Sequence, residues 1–392
     1  MPGSPSTSSE LARPAGRRPL QPRSTAASPI ERRAFLVGLA LPGQPGFLVE
    51  EHLDELAELA ASAGMEVGGR ALQRRQAPSA ATYIGRGKAQ QLAGEAREAG
   101  AEVVIFDDDL APGQVKNLEE ILDLAVIDRS ALILEIFGQR AKSREARTQV
   151  ELARLQYLLP RLTRRWAHLS RQERGIGVRG GAGETQLEAD RRMLRRRIQR
   201  LGRELAKIER TREVQRRGRV GVPAIALAGY TNAGKSTLFN RLTAAGTTVE
   251  DRLFATLDSK VRRGALAPEQ IVVFSDTVGL IRKLPHHLVA SFRSTLEEIV
   301  WADLVLHVID RSHPRWPDQL AVAEEVLQEL GVEPERVLRV FNKCDLVAGA
   351  VSDGAGVAVS ARTGEGLGAL KAEIRDRLAA RGALPAAARV TT

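Results

Sequence analysis

The chain has 392 residues, 43% of them apolar, which suits two or three folded units with a sizeable core. No apolar run nears the ~20 residues of a membrane-spanning helix, and the single cysteine, Cys344, excludes an internal disulfide framework and agrees with a reducing cytosol. The net charge of +10 is spread unevenly: residues 1–33 carry +4, 34–160 carry −6, 161–219 carry +12, and 220–392 balance to zero.

Residues 1–33 are rich in Ser, Pro, Ala and Arg and have no apolar h-region, so they are not a secretory signal. An Arg-rich, acid-poor start can mimic an organellar transit peptide, but its prolines oppose an amphipathic helix; a disordered basic tail is expected. A small α/β domain is expected from 34 to 143. "AFLVGLAL" (34–41) predicts a strand and "EEHLDELAELAASAG" (50–64) a helix ending at glycine. "EVVIF" (102–106) and "LAVID" (124–128) are continuous apolar runs, as in strands buried in a parallel sheet, and "PGQVKNLEEILD" (112–123) opens a helix with Pro112. "GRGK" (85–88) reads as the turn that starts a helix or, alternatively, as a second nucleotide loop; no P-loop pattern occurs in this domain.

Residues 144–219 change character. Leu152, Leu155, Leu159, Leu162, Trp166 and Leu169 recur at spacings of 3 and 4, and after a Gly-rich break Leu187, Leu194, Ile198, Leu201, Leu205 and Ile208 continue in the same heptad phase. Two such helices joined by a connection predict an antiparallel helical hairpin, kinked at Pro160. The connection, "RQERGIGVRGGAG" (171–183), holds five glycines and three arginines. Arginine forks bind phosphate and glycine lets backbone approach a partner, so contact with RNA competes here with a plain flexible turn. The +12 block around it points the same way, against the plainer reading of a solvated helix face.

From 220 to 382, "PAIALAG", "QIVVFSD", "DLVLHVID", "RVLRVFNK" and "GVAVS" alternate with helical patterns at 235–244, 289–302, 317–330 and 366–381. This is the signature of a doubly wound α/β sheet, followed by a short tail at 383–392. "GYTNAGKS" (229–236) fits G-x-x-x-x-G-K-[ST] between a strand and a helix, as a P-loop requires. The amides of Gly229, Tyr230, Thr231, Asn232, Ala233 and Gly234, with the helix start through Thr237, can cradle phosphate oxygens. Lys235 is expected at the β- and γ-phosphates and Ser236 on Mg²⁺, which accepts few protein ligands and keeps waters.

In "DTVG" (276–279), Asp276 ends a strand and is expected to hold a water of the Mg²⁺ shell or the ion itself, Thr277 and Val278 are expected at the nucleotide with it, and Gly279 brings its amide to the γ-phosphate. Thr256 of "LFATLD" (253–258) is the candidate switch threonine on Mg²⁺, with Thr247 and Thr248 as rivals. The base is read by "NKCD": Asp345 can accept from the guanine N1–H and amino group together, a donor pair adenine lacks. Asn342 suits the base or a bridge to the P-loop, and the Lys343 stem can lie over the ring. "SAR" places Ser360, Ala361 and Arg362 beside it, with the Ala361 amide directed at guanine O6. These elements in this order predict a GTP-hydrolysing enzyme. Cys344 reads as a buried packing residue rather than a nucleophile.

The same residues resemble the HflX family of ribosome-associated GTPases, and the likeness extends over about 34–380. It rests on "YIGRGK", "FDDDLAPGQVKNLE", "VIDRSALILEIFGQRAKSREARTQVELARLQYLLPRL", "GIGVRGGAGETQLEADRR", "LFATLD" and "DTVGLIRKLPHHLVASFRSTLEE". The resemblance implies a Ras-like G domain behind an N-terminal α/β domain and a helical linker. It further implies binding to the large ribosomal subunit and its ribosomal RNA, through residues 161–219, and GTP-dependent splitting or rescue of stalled or idle ribosomes. A monomer in the cytoplasm is expected, with peripheral membrane association left open, no DNA partner and no extra C-terminal domain. The alternative is a GTP-regulated assembly or hibernation factor that splits nothing. A third reading is an ATPase on the N-terminal domain.

There are departures. The family loop usually reads R-G-P-G-E; here it is Arg179-Gly180-Gly181-Ala182-Gly183-Glu184, longer by one and without the proline. Ras-type GTPases orient the attacking water with a glutamine directly after the switch glycine, whereas this chain has Leu280. Two substitutes are visible. A K⁺ ion near Asn232 can spread positive charge along the phosphates, though Asn232 can equally be a loop residue that bonds only backbone. The partner can also order the switch. His286 and His287 read as loop residues rather than a base.

Overall fold

The computed structural model describes residues 32–162, 186–217, 221–244, 253–254, 256–283, 293–347 and 356–384. The tail 1–31, the loop 171–183, Thr247, Thr248, His286 and His287 lie outside the described residues, and so do Trp166 and Leu169 of the heptad pattern.

A four-stranded parallel sheet, in the order β2-β1-β3-β4, forms the first half. Its strands are β1 (Arg32–Ala40), β2 (Met65–Arg74), β3 (Val103–Phe106) and β4 (Ala125–Asp128). β1 is central and buried from Ala34 to Ala40, as a run covered on both faces must be. The helices α1 (Gly46–Ser62), α2 (Arg86–Glu98) and α3 (Pro112–Leu122) make the crossovers. In α1, Val49, Leu53, Leu56, Leu59 and Ala60 are buried at helical spacing. "GRGK" starts α2: Gly85 is its N-cap and Arg86 its first residue. The Gln114 side chain accepts from the Ala111 amide at 2.8 Å, which satisfies a donor ahead of the α3 N-terminus. Helix α4 (Arg129–Arg140) is capped by Asp128, whose Oδ1 accepts from Ala131 N at 2.9 Å.

The hairpin consists of α5 (Arg144–Leu158) and α6 (Gln186–Arg217). Arg144 meets Glu204, Glu151 meets Arg197, and Arg191 donates to the Leu162 carbonyl, so partners run in opposite directions. The leucine seam is half right. Leu201 and Leu205 of α6 are buried, but Leu152 and Leu155 of α5 are only half-buried. The covered face of α5 is Ala146, Val150 and Ala153, which joins the core around α1 and α4. Small side chains let two helices approach, and a heptad count that follows leucines misses them. Pro160 does not bend a continuing helix; it sits in the 3-10 turn Leu159–Arg161 that closes α5.

The second half is a six-stranded sheet in the order β10-β9-β8-β5-β7-β6. The strands are β5 (Ala224–Ala228), β6 (Lys260–Ala267), β7 (Gln270–Asp276), β8 (Leu304–Asp310), β9 (Val337–Asn342) and β10 (Gly356–Ala358). Only β6 runs antiparallel, paired with β7. Helices α7 (Lys235–Thr243), α8 (Arg293–Trp301), α9 (Trp316–Glu329) and α10 (Leu367–Ala380) complete it. The two halves share a core. Leu36, Leu53 and Phe137 of the first pack in one cluster with Leu253, Phe254, Leu257, Leu280 and Ile281 of the second, and Phe137 meets Phe254 edge to face at 4.7 Å.

Candidate active site

β5 carries the chain outward to Gly229, where it must pass β8. A Cβ there would stand 2.2 Å from the Val308 carbonyl oxygen, and the backbone is in the positive-φ region (142°), so glycine is required. The turn ends at Gly234 (φ 88°), the N-cap of α7. The loop borders a cleft of about 370 Å³ beside the C-terminal end of β5. Thr231, Asn232, Gly234, Lys235, Ser236, Thr237, Thr256, Thr277, Gly279, Asn342, Lys343, Asp345, Ala361 and Arg362 line it, together with Phe254 and Leu346. The last two escaped the sequence reading because apolar residues in a turn (Phe254) or a short 3-10 helix (Leu346) carry no chemical signature.

The remaining candidates stand behind this wall. Asp276 and Ser360 are fully buried, Ala233 and Val278 pack in apolar clusters, and Gly229 sits under β8. Tyr230 turns its ring away from the cleft. Its hydroxyl is bonded to a Glu55 carboxylate oxygen and accepts from Arg282 N at 3.1 Å.

In one corner the Ser236 hydroxyl donates to Asp276 Oδ2 at 2.7 Å, Thr256 Oγ1 lies 2.9 Å from Ser236 Oγ, and Thr256 also donates to Asp276 Oδ2 at 3.2 Å. Asp276 Oδ1 is buried with no hydrogen-bond partner among the described residues. An orphaned buried acceptor is costly and unusual in a folded protein. Beside two hydroxyls it makes an all-oxygen set, the donor chemistry that fits Mg²⁺. Among the described residues no cluster of three His, Cys, Asp or Glu offers a different metal site. Burial holds the Asp276 carboxyl above the usual carboxylate range, opposed by the Ser236 bond and by Lys235.

Lys235 Nζ donates to the carbonyls of Gly229 (3.1 Å) and Tyr230 (2.7 Å), and burial pulls its pKa down to about 8. A phosphate brought beside this amine would restore its full charge.

Leu280 is only 1% exposed. Its amide donates to Gly229 O at 3.0 Å and its carbonyl accepts from Thr231 N at 2.8 Å, which stitches the switch segment to the P-loop. Its side chain belongs to the shared core. Leucine after the switch glycine therefore serves as an anchor, and a glutamine there would bury an amide in an apolar cluster. Gly279 lies flat on the loop: a Cβ would come within 2.6 Å of Thr231 Cγ2 and 3.2 Å of Lys235 Nζ.

At the other end of the cleft Asn342 bridges. Its Nδ2 donates to Ala233 O at 2.8 Å, and its Oδ1 accepts from Ala361 N at 2.9 Å. Of its two expected roles, the bridge to the P-loop is the one seen here. The Ala361 amide expected at a base oxygen is engaged by that same side chain. Asp345 accepts from Ser360 Oγ at 2.6 Å and pairs with Arg362; these contacts, the Ser360 bond foremost, hold its carboxyl below the usual range. Lys343 Nζ pairs with Asp310 at 2.7 Å, which lays out its stem along the cleft. Cys344 is half-buried rather than buried, with its thiol on Phe341 O at 3.1 Å.

A second set of charged residues was not singled out from the sequence. Arg129, 2% exposed, pairs with Asp107 (2.7 Å) and Glu55 and donates to Arg282 O (3.1 Å). Lys283 Nζ reaches Asp107 at 2.5 Å and Asp108 at 2.6 Å. His52 borders the group, and burial together with Lys283, Arg282 and Arg129 pulls its pKa down to about 4. The only sequence hint is charge placed directly after apolar strands, in "VVIFDDD" and "AVIDR".

Family models match three stretches of the chain: a GTP-binding GTPase N-terminal region at 50–138, a GTP-binding GTPase middle region at 140–219, and a 50S ribosome-binding GTPase at 224–343. GTPase HflX of Magnetococcus marinus is 46% identical over 351 residues, covering 88% of this chain and 81% of that protein. GTPase HflX of Escherichia coli is 47% identical over 299 residues, covering 76% and 70%. A crystal structure of SsGBP with GDP is 27% identical, covers 90% of this chain and 100% of its own, and superposes with a TM-score of 0.49.

Proposed function

The chain belongs to the HflX family of GTPases, and from that premise we propose that it binds the large ribosomal subunit and uses GTP to split or rescue stalled or idle ribosomes. The observation that carries the reading is the orphaned Asp276 Oδ1 beside Ser236 and Thr256 at the foot of the cleft, within one chain that also holds a strongly basic hairpin.

In this reading Ser236, Thr256 and Asp276 hold Mg²⁺, which when bound neutralises charge on the β- and γ-phosphates. Lys235 steadies the same phosphates, and the Gly279 amide meets the γ-phosphate. Asp345, backed by Ser360, takes the two guanine donors, and Arg362 must yield its hold on that carboxylate as the base arrives. Tyr230 acts only through its backbone. Leu280 gives no hydrogen bond to the attacking water, so unaided turnover is slow. Asn232, which is exposed with φ 61° and lines the cleft, would hold a K⁺ ion whose charge would supply part of what is missing, and the ribosome supplies the rest.

Residues 161–219, at +12, meet ribosomal RNA. The protein works as a monomer in the cytoplasm. No helix among the described residues is long and apolar enough to cross a membrane.

The test is sedimentation of whole ribosomes with wild-type protein and Lys235→Ala, in GTP or a non-hydrolysable analogue. Separated subunits with wild type and intact ribosomes with Lys235→Ala are expected. Wild-type protein bound to subunits while whole ribosomes stay intact overturns splitting and leaves the assembly or hibernation role.

A further inference from the structure

Three consecutive residues of the switch segment point three ways. Thr256 sits in the metal corner, on Ser236 and Asp276. Leu257, 3% exposed, is locked in the shared core. Asp258 reaches the root of the hairpin: Oδ2 accepts from Lys142 N at 3.0 Å and Ser143 N at 3.2 Å, and Oδ1 takes the Ser143 hydroxyl. Ser143 is the N-cap of α5, and its Oγ accepts from Ala146 N at 3.0 Å. A carboxylate held by the amides ahead of a helix N-terminus is favoured by the helix dipole as well as by the bonds.

We propose that Asp258 is a positioning residue that couples the seating of Thr256 at the phosphates to the root of the α5–α6 hairpin. Two peptide units span only about 7 Å when extended, and no glycine lies between 256 and 258 to absorb a movement. Withdrawal of Thr256 from the corner therefore pulls on the clasp, and loss of the clasp frees Thr256. Both contacts are present together here, so the clasp belongs with the arrangement in which Thr256 is in. A triphosphate, which gives the metal corner its full set of partners, favours the clasp, and a diphosphate loosens it. By linkage, whatever holds the hairpin root in place favours the triphosphate to the same extent. This inference rests on the reading of Thr256 as a metal-site ligand.

The experiment is hydrogen exchange on the full chain with Mg²⁺ and either GDP or a non-hydrolysable GTP analogue, followed at the amides of residues 142–146. Wild-type amides are expected to exchange about tenfold more slowly with the analogue, within the ordinary range of coupling. Asp258→Ala erases that difference and, by the same linkage, lowers the calorimetric preference for the analogue over GDP by up to about tenfold, and Asp258→Asn, which keeps one acceptor oxygen, retains part of both. Equal exchange in wild type, or a wild-type difference surviving in Asp258→Ala, overturns the proposal. A Thr256→Ala chain that binds and hydrolyses GTP like wild type sinks the metal-corner reading instead, so the two failures are told apart.

Discussion

The two sheets offer the same crevice and use it differently. In each, the first strand lies between neighbours reached by crossovers in opposite directions: β1 between β2 and β3, and β5 between β7 and β8. The ends of such strands are where α/β proteins bind ligands. After β3 stands Asp107, with one oxygen on Arg129 and the other on Lys283, which arrives from the opposite half of the molecule. At the end of β7 stands Asp276, with Oδ2 held by hydroxyls and Oδ1 left without a partner. Topology marks both crevices as possible sites. The carboxylates distinguish them: both oxygens of Asp107 are taken by protein cations, whereas Asp276 Oδ1 has no partner among the described residues, so the first is a joint closed by protein and the second a place prepared for something else.

The largest break in that contrast comes from Asp107→Ala. It takes one of two carboxylates from buried Arg129, which keeps Glu55, and from half-buried Lys283, which keeps Asp108, so stability should fall by about 3 kcal/mol, the low end for a broken buried pair, read as a lower urea midpoint. A near-neutral change would show that the joint is not paired as described. Asp276→Ala should cost at least about 100-fold in GTP hydrolysis, with the fold retained, because it removes charge stabilisation rather than packing. If it cost stability and spared turnover, the two carboxylates would have exchanged roles.

A pH series sharpens the comparison. Burial raises the Asp276 carboxyl, so protons compete with a cation there more than at a free carboxylate, and Mg²⁺-dependent GTP binding should weaken as pH falls; calorimetry across a descending pH series reads it. At the joint the effect is confined to acid pH. His52 is pulled down to about 4 in the fold against about 6.5 when free. The unfolded chain then binds more protons, and the His52 contribution to stability, complete above pH 6.5, is lost as pH falls toward 4. Urea midpoints of wild type and His52→Asn should diverge only in that window.

Much of this was legible in the sequence because its signals are local. Buried parallel strands read as apolar runs, and the phosphate loop, "DTVG" and "NKCD" keep their chemistry within a few residues. β2 and β6 went unread: the first carries two glycines and is half-exposed, and the second is the basic antiparallel edge "KVRRGALA". The joint was invisible for a different reason. Glu55 and Tyr230 are 175 positions apart, and Lys283 and Asp107 are 176 apart; no spacing rule reaches that far, and a charged helix face looks alike whether water or protein covers it. Leu280 read as a loss of hydrogen bonding until its partners in the core were known.

The shared core also bears on how the protein is made. Phe137 leaves the ribosome well before Phe254, the ring it packs against, and before Leu280 and Ile281, which complete the same cluster. At roughly 5–20 residues per second, the N-terminal sheet waits on the order of ten seconds with the apolar side of α1 and α4 uncovered. Synthesis thus exposes a sticky intermediate that ends only when the nucleotide half arrives, and truncations made between the halves should aggregate for the same reason.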